Sequence, residues 1–167
     1  MKIRTAEEKD LKALADIYNY EVLNGTATFD LSPVTVEERK LWFDAHNKEN
    51  HPLIVAEDEN GMIHGYASLS PYSSKKAYAP TVELSVYIAP SSRGNGVGTL
   101  LMREIIKTVS RDGITHSILS LITSENKVSI GLHEKLGFKH CGKLEEAGIK
   151  FGRYLDVDFY ILHINQE

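Results

Sequence analysis

The residues best equipped for chemistry fall in one stretch, TVELSVYIAPSSRGNGVGTLL, from Thr81 to Leu101. Glycines recur at 94, 96 and 98 behind Arg93, and the apolar residues Val97, Leu100, Leu101, Ile105 and Val109 follow at helical spacing. A glycine-rich turn that opens a helix suits an anion. Glycines let backbone N–H groups come close, and the helix N-terminus adds partial positive charge. Just upstream, Val82, Leu84, Val86 and Ile88 alternate with Glu83, Ser85 and Tyr87. That pattern predicts a strand with one apolar face and one polar face that carries a carboxylate. Pro90 ends it, because proline cannot donate to a ladder. A Walker loop would need lysine before its serine or threonine, and Gly98-Thr99 has none. A dinucleotide fingerprint would need wider glycine spacing within a βαβ unit.

Other reactive residue types offer less. Cys141 is the only cysteine, so no internal disulfide can form. Its neighbour His140 would point to the opposite face of a strand, and Cys141 reads as a small strand residue. The seven histidines show no metal-ligand spacing, and no metal is expected. A net charge of −4 argues against a general nucleic-acid binder. No apolar run has the length of a membrane span, and the first residues hold no signal-peptide core, so the chain reads as cytoplasmic. At 167 residues, one domain over 1–167 with a sizeable core is expected.

The elements that must position these residues follow in order. Lys2-Ile3-Arg4 reads as a short strand. Thr5-Ala6-Glu7-Glu8 fits a capping box ahead of a helix with Leu11, Leu14, Tyr18 and Val22 on one face. A second box, Thr35-Val36-Glu37-Glu38, opens a helix with Leu41, Trp42, Phe43 and Ala45. Both early helices are expected to cover one end of the sheet. Leu53–Glu57 and Met62–Leu69 form a hairpin about Glu59-Asn60-Gly61. Thr115–Ile122 reads as a strand and Asn126–Leu136 as a helix closed by Gly137. Phe138–Leu144 and Tyr154–Ile164 read as the last strands, with Gly142, Gly148 and Gly152 in their connection. The order predicts an α+β fold with a mixed sheet.

The pattern Arg-x-x-Gly-x-Gly at Arg93, Gly96 and Gly98 resembles the pyrophosphate loop of the GNAT superfamily of N-acetyltransferases. The whole chain is similar to one branch, the phosphinothricin and methionine sulfoximine acetyltransferases. The shared stretches run in order: Ile17-Tyr18-Asn19, Thr28-Phe29, Gly65-Tyr66-Ala67, Ala77-Tyr78, Thr81-Val82-Glu83 and Ser85-Val86-Tyr87 before the loop. After it come Asn126, Ser129-Ile130-x-Leu132-His133-Glu134, Leu136-Gly137-Phe138 and Lys150-Phe151-Gly152-Arg153. Tyr154 departs, standing where many members carry tryptophan.

The resemblance implies a mostly antiparallel sheet of about seven strands flanked by four helices. It also implies direct acetyl transfer from acetyl-CoA to the α-amine of a small amino-acid-like acceptor. Glu83 becomes the candidate base, which at a free pKa of about 4.3 needs burial or a water relay. His133 occupies a position where many relatives place the tyrosine that protonates the thiolate. It reads equally as an acid or relay and as a packed histidine. The strand with Val86, Tyr87 and Ile88 is expected to splay from Ser117–Leu121 and pair with the pantetheine amides. Arg93, Gly94, Asn95, Gly96, Val97, Gly98 and Thr99 would hold the pyrophosphate. Asn126 and Ser129 would meet the cofactor arm, Asn126 also fitting an N-cap. Phe29, Lys76, Tyr78, Glu83 and Arg153 are the expected acceptor contacts, and a homodimer is implied. Two other activities stay open: N-acetylation of proteins or peptides, and a non-catalytic acyl-CoA sensor.

Overall fold

The computed structural model describes residues 1–165, and Gln166 and Glu167 of the expected domain lie outside them. Four helices flank a seven-stranded sheet. In chain order the elements are β1 (Lys2–Thr5), α1 (Leu11–Asn24), α2 (Val36–Asp44), β2 (Leu53–Glu57), β3 (Ile63–Pro71), β4 (Thr81–Ile88), α3 (Val97–Val109), β5 (Ser117–Thr123), α4 (Lys127–Lys135), β6 (Lys139–Lys150) and β7 (Arg153–His163). The strand order is β1-β2-β3-β4-β5-β7-β6. Every pairing is antiparallel except β4 with β5. This is the mixed, mostly antiparallel sheet the sequence implies. Among the described residues no helix is long and apolar enough to cross a membrane.

Each face of the sheet is covered by different helices. Val97, Leu101, Met102, Ile105 and Val109 of α3 pack on Ala56, Ala67, Leu69, Val82, Leu84 and Ile118. Leu100, expected on that buried stripe, is exposed, and Met102 takes the inward place. On the other face, Leu14 and Ile17 of α1 and Trp42 and Phe43 of α2 pack with Leu53, Val55, Tyr66 and Tyr87. The early helices therefore cover a face of β2–β4 rather than an end of the sheet.

Two local expectations change. The box at Thr35 forms: its hydroxyl accepts from Glu38 N–H at 3.1 Å, and the Glu38 carboxylate accepts from Thr35 N–H at 2.8 Å. The first box does not form at Thr5. Asp10 instead accepts from Glu7 N–H at 2.8 Å and receives the Arg4 guanidinium at 2.7 and 2.9 Å. Glu57 on β2 takes the same guanidinium from the other side, so a charge network outcompetes the threonine. The second change concerns β6, which runs through Gly142 and Gly148 to Lys150. Pairing steps from Leu144↔Val157 to Gly148↔Leu155, so residues 145–147 bulge from the ladder. Phe151 and Gly152 turn the chain at φ +53° and +73°, as a two-residue hairpin loop requires.

Candidate active site

The parallel pair at the centre of the sheet is short. β4 and β5 pair at Thr81↔Ser117, Val82↔Ile118 and Glu83↔Leu119, and then separate while both strands continue. The split creates a cavity of about 310 Å³ between their C-terminal halves. It is walled by Thr26–Phe29 on one side and by Ser120, Asn126, Ser129 and His133 on the other, with Glu83, Ser85 and Tyr87 between them. The strand ends beyond the split lead into α3 and α4, so two helix N-termini stand near the same opening.

The glycine loop leaves donors unused. Gly94 and Gly96 take φ of +77° and +78°, a region costly to residues with a Cβ, and a Cβ at either would meet no atom within 4 Å. The N–H groups of Gly94 to Thr99 donate to no carbonyl or side chain of the described residues, as expected of the first turn of α3 and the loop before it. The loop is held from behind. His64 Nδ1 lies 2.7 Å from Ser92 Oγ and its Nε2 lies 3.0 Å from Asp58 Oδ2. Ser92 is buried and lines neither cavity, so this serine–histidine–aspartate series anchors the loop to the β2–β3 turn. Arg93 forms an ion pair with the buried carboxylate of Glu21. Val97 is in the core, so it offers the site only its backbone.

Glu83 is half-buried on the cavity floor, and burial alone raises its pKa above the ordinary glutamate value. His133 is buried, and desolvation lowers its pKa against the opposing bond to the Ser129 carbonyl. That carbonyl lies 2.7 Å from Nδ1 and can only accept, so Nδ1 carries the proton. Nε2 is then an acceptor for the hydroxyl of Ser120, 2.9 Å away. Ser120 is not among the expected site residues; its signal in the sequence is a polar residue inside the apolar run of β5. Asn126 caps α4, its Oδ1 accepting from Ser129 N–H at 3.1 Å, while also lining the cavity.

The acceptor-side expectations separate. Phe29 lines the cavity with its ring over Gly148. Its segment is tied down by Lys150, whose Nζ donates to the carbonyls of Thr28 at 2.9 Å and Glu21 at 3.3 Å. Lys76 and Tyr78 do not line either cavity; Tyr78 packs edge-on against Tyr72. Arg153 does not line one either. It forks onto Glu125 at 2.5 and 2.9 Å, and with Thr26 at 2.9 Å it holds that carboxylate's pKa at about 2. Its observed effect is to fasten the β7 start to the wall at Thr26.

Residues 3–158 match the family described as Acetyltransferase (GNAT) domain. The chain belongs to the GNAT family and is an N-acetyltransferase. More particularly, it is 41% identical over 162 residues to a phosphinothricin N-acetyltransferase of Streptomyces coelicolor, covering 96% of this chain and 94% of that protein. It is 39% identical over 163 residues to an L-methionine sulfoximine/L-methionine sulfone acetyltransferase of Pseudomonas paraeruginosa, covering 98% and 94%. Two solved structures superpose closely. A ribosomal-protein-alanine N-acetyltransferase of Brucella melitensis gives a TM-score of 0.94 at 38% identity, over 98% of this chain and 100% of that one. A phosphinothricin acetyltransferase of Sinorhizobium meliloti, in complex with AcCoA, gives 0.92 at 33%, over 98% and 88%.

Proposed function

We propose that this enzyme transfers acetyl from acetyl-CoA to the α-amine of a small amino-acid-like acceptor such as phosphinothricin or methionine sulfoximine. The observation that carries the reading is that Glu83 and the Ser120–His133 pair face one cavity at the split between β4 and β5. The unused N–H groups of Gly94 to Thr99 fit the pyrophosphate. Main-chain groups of Val86, Tyr87 and Ile88, freed by the split, receive the pantetheine arm, which lies beside Asn126 and Ser129.

Protons balance through two groups. An acceptor ammonium has no lone pair, so Glu83 takes its first proton, directly or through water, and releases it to solvent. The amine nitrogen then bonds to the thioester carbon, and the C–S bond breaks as the tetrahedral adduct collapses. The second nitrogen proton passes to the Ser120–His133 pair, which delivers it to the departing thiolate. A neutral histidine with its Nδ1 proton fixed suits this relay better than a standing acid, because Nε2 can take and return the serine proton. The protein works in the cytoplasm as a homodimer in this reading. The exposed Ile149, Phe151 and Tyr154 at the β6–β7 turn supply an apolar surface for self-association.

The test is release of CoA thiol from acetyl-CoA with phosphinothricin, methionine sulfoximine, polyamines and short peptides, using wild type and Glu83→Gln. Turnover of the two amino-acid analogues that falls at least a hundredfold in the variant supports the acceptor class and the base. Turnover with peptides alone would move the enzyme to protein N-termini. Tight acetyl-CoA binding without turnover on any amine would leave a sensor.

A further inference from the structure

A second cavity, about 300 Å³, adjoins the first and shares Ser85 and Tyr87 with it. Its other walls include Tyr18, Asp30, Glu38, Trp42 and the guanidinium of Arg39. Arg39 lies on α2 and is only 6% exposed. Its Cζ stands 3.5 Å from the centre of the Trp42 ring and 4.4 Å from that of Tyr18. Nη2 donates to the Tyr66 hydroxyl. Nε is buried without an acceptor, and Nη1 donates to no described residue.

A buried cation normally has an anion beside it, since desolvating an unpaired charge is costly. Among the described residues Arg39 forms no ion pair, although two carboxylates line the same cavity. Both are engaged elsewhere: Asp30 accepts from the Tyr18 hydroxyl, and Glu38 accepts from Thr35 N–H at the helix start. The aromatic rings satisfy the face of the guanidinium, and Nε is sealed from solvent. Nη1 and the second N–H of Nη2 remain, and the terminal edge they form matches a carboxylate in bidentate geometry.

We infer that Arg39 binds the α-carboxylate of the acceptor, fixing an amino acid with its amine toward Glu83. This deepens the proposed function and rests on it. Ser85 connects the two ends: it lies two residues from Glu83 on the same strand face and lines both cavities. The inference makes the enzyme selective for free amino acids over amines that lack the carboxylate. It also gives α2 a part in specificity that its helical pattern, with Arg39 among charged neighbours, did not suggest.

Trp42 is the only tryptophan, so intrinsic fluorescence reports directly on the ring that stacks on Arg39. Methionine sulfone and its carboxamide would be titrated into wild type, Arg39→Lys and Arg39→Met while fluorescence is followed. The acetylation KM of each compound would be measured alongside acetyl-CoA affinity and the thermal midpoint. Wild type is expected to prefer the carboxylate by about ten- to a hundredfold, the range of a hydrogen-bonded charge pair. In Arg39→Met the carboxamide-to-carboxylate KM ratio falls to near one, and Arg39→Lys lies between. Equal weakening of both compounds, or a lowered midpoint with the ratio intact, would show that Arg39 only pins α2 and would overturn the inference. If Arg39→Met does not fold, indifference of wild type to the carboxamide overturns it equally. If wild type acetylates no free amino acid, the proposed function fails. The carboxylate site then still stands if methionine sulfone changes Trp42 fluorescence in wild type and more weakly in Arg39→Lys, and falls if it does not.

Discussion

Gly148→Ala tests whether the β6 strand shapes the acceptor side. A Cβ at Gly148 would lie 2.7 Å from both Cδ2 and Cε2 of Phe29 and 3.5 Å from its Cζ. Carbon atoms rest at about 3.5–4.0 Å, so the ring has to retreat by about 1 Å. Gly148 is not in the left-handed region, so alanine costs nothing through φ. The ring is more than a third exposed and can move, which keeps the folding cost near the lower end of overpacking, about 1 kcal/mol. The larger effect falls on the reaction, because a misplacement of about 1 Å in a wall that orients a reactant can cost on the order of a hundredfold. The expected result is a fall of about ten- to a hundredfold in kcat/KM for the acceptor, with acetyl-CoA affinity by calorimetry unchanged. Urea unfolding would measure the small stability loss. The same substitution in a Phe29→Leu background should have much less effect, since the clashing ring is gone. An unaltered kcat/KM, or an equal loss in that background, would refute the reasoning.

Other predictions bear on separate parts of the chain. Arg4→Met removes the guanidinium from Asp10, which is 4% exposed, and is expected to destabilise by about 3–5 kcal/mol in urea unfolding at pH 7. Burial pushes the Asp10 pKa up, but the Arg4 and Glu7 hydrogen bonds outweigh it and leave it lowered. Its stabilisation is therefore present above the unfolded-state pKa of about 3.9 and lost as pH falls through the folded value. The gap between variant and wild type should narrow in acid. Gly65→Ala places a Cβ 2.8 Å from the Tyr87 carbonyl oxygen. Backbone cannot yield as a side chain does, so β3 and β4 must shift, with weaker acetyl-CoA binding by calorimetry and a loss of about 1–3 kcal/mol. The raised pKa of Glu83 predicts an ascending limb of kcat/KM above the ~4.3 of a free glutamate, read from a pH–rate profile. His133→Asn should lower kcat without moving that limb.

Much of this arrangement was legible in the residues because it is local. Alternation in 81–88 marks the strand bearing Glu83, and glycine spacing marks the loop whose N–H groups lie unused. The strand through Lys139–Lys150 was not: the expected strand stops at Leu144 with glycines in the connection, and only pairing with β7 carries the chain across the bulge. Arg153 shows the limit for side chains. A residue type indicates which partners are chemically suitable, yet Glu125 rather than a ligand holds Arg153. The roles of Ser120, Lys150 and Arg39 are not legible in the sequence, because their meaning lies in who stands beside them. Each touches residues at least thirteen positions away.

The brief pairing of β4 with β5 has a consequence for cooperativity. β1–β4 form one ladder and β5, β7 and β6 another, joined at three register positions with hydrophobic packing beneath. Such a joint lets the two ladders behave as separate opening units in hydrogen exchange, each with its own free energy. A strand-like ligand laid into the split would complete the hydrogen bonding of both edges and couple them, adding RT ln(1 + [L]/Kd) to the folded state. A ligand bound in the split would then draw the two ladders toward one cooperative unit, and its departure would leave the shared core beneath them as their main coupling.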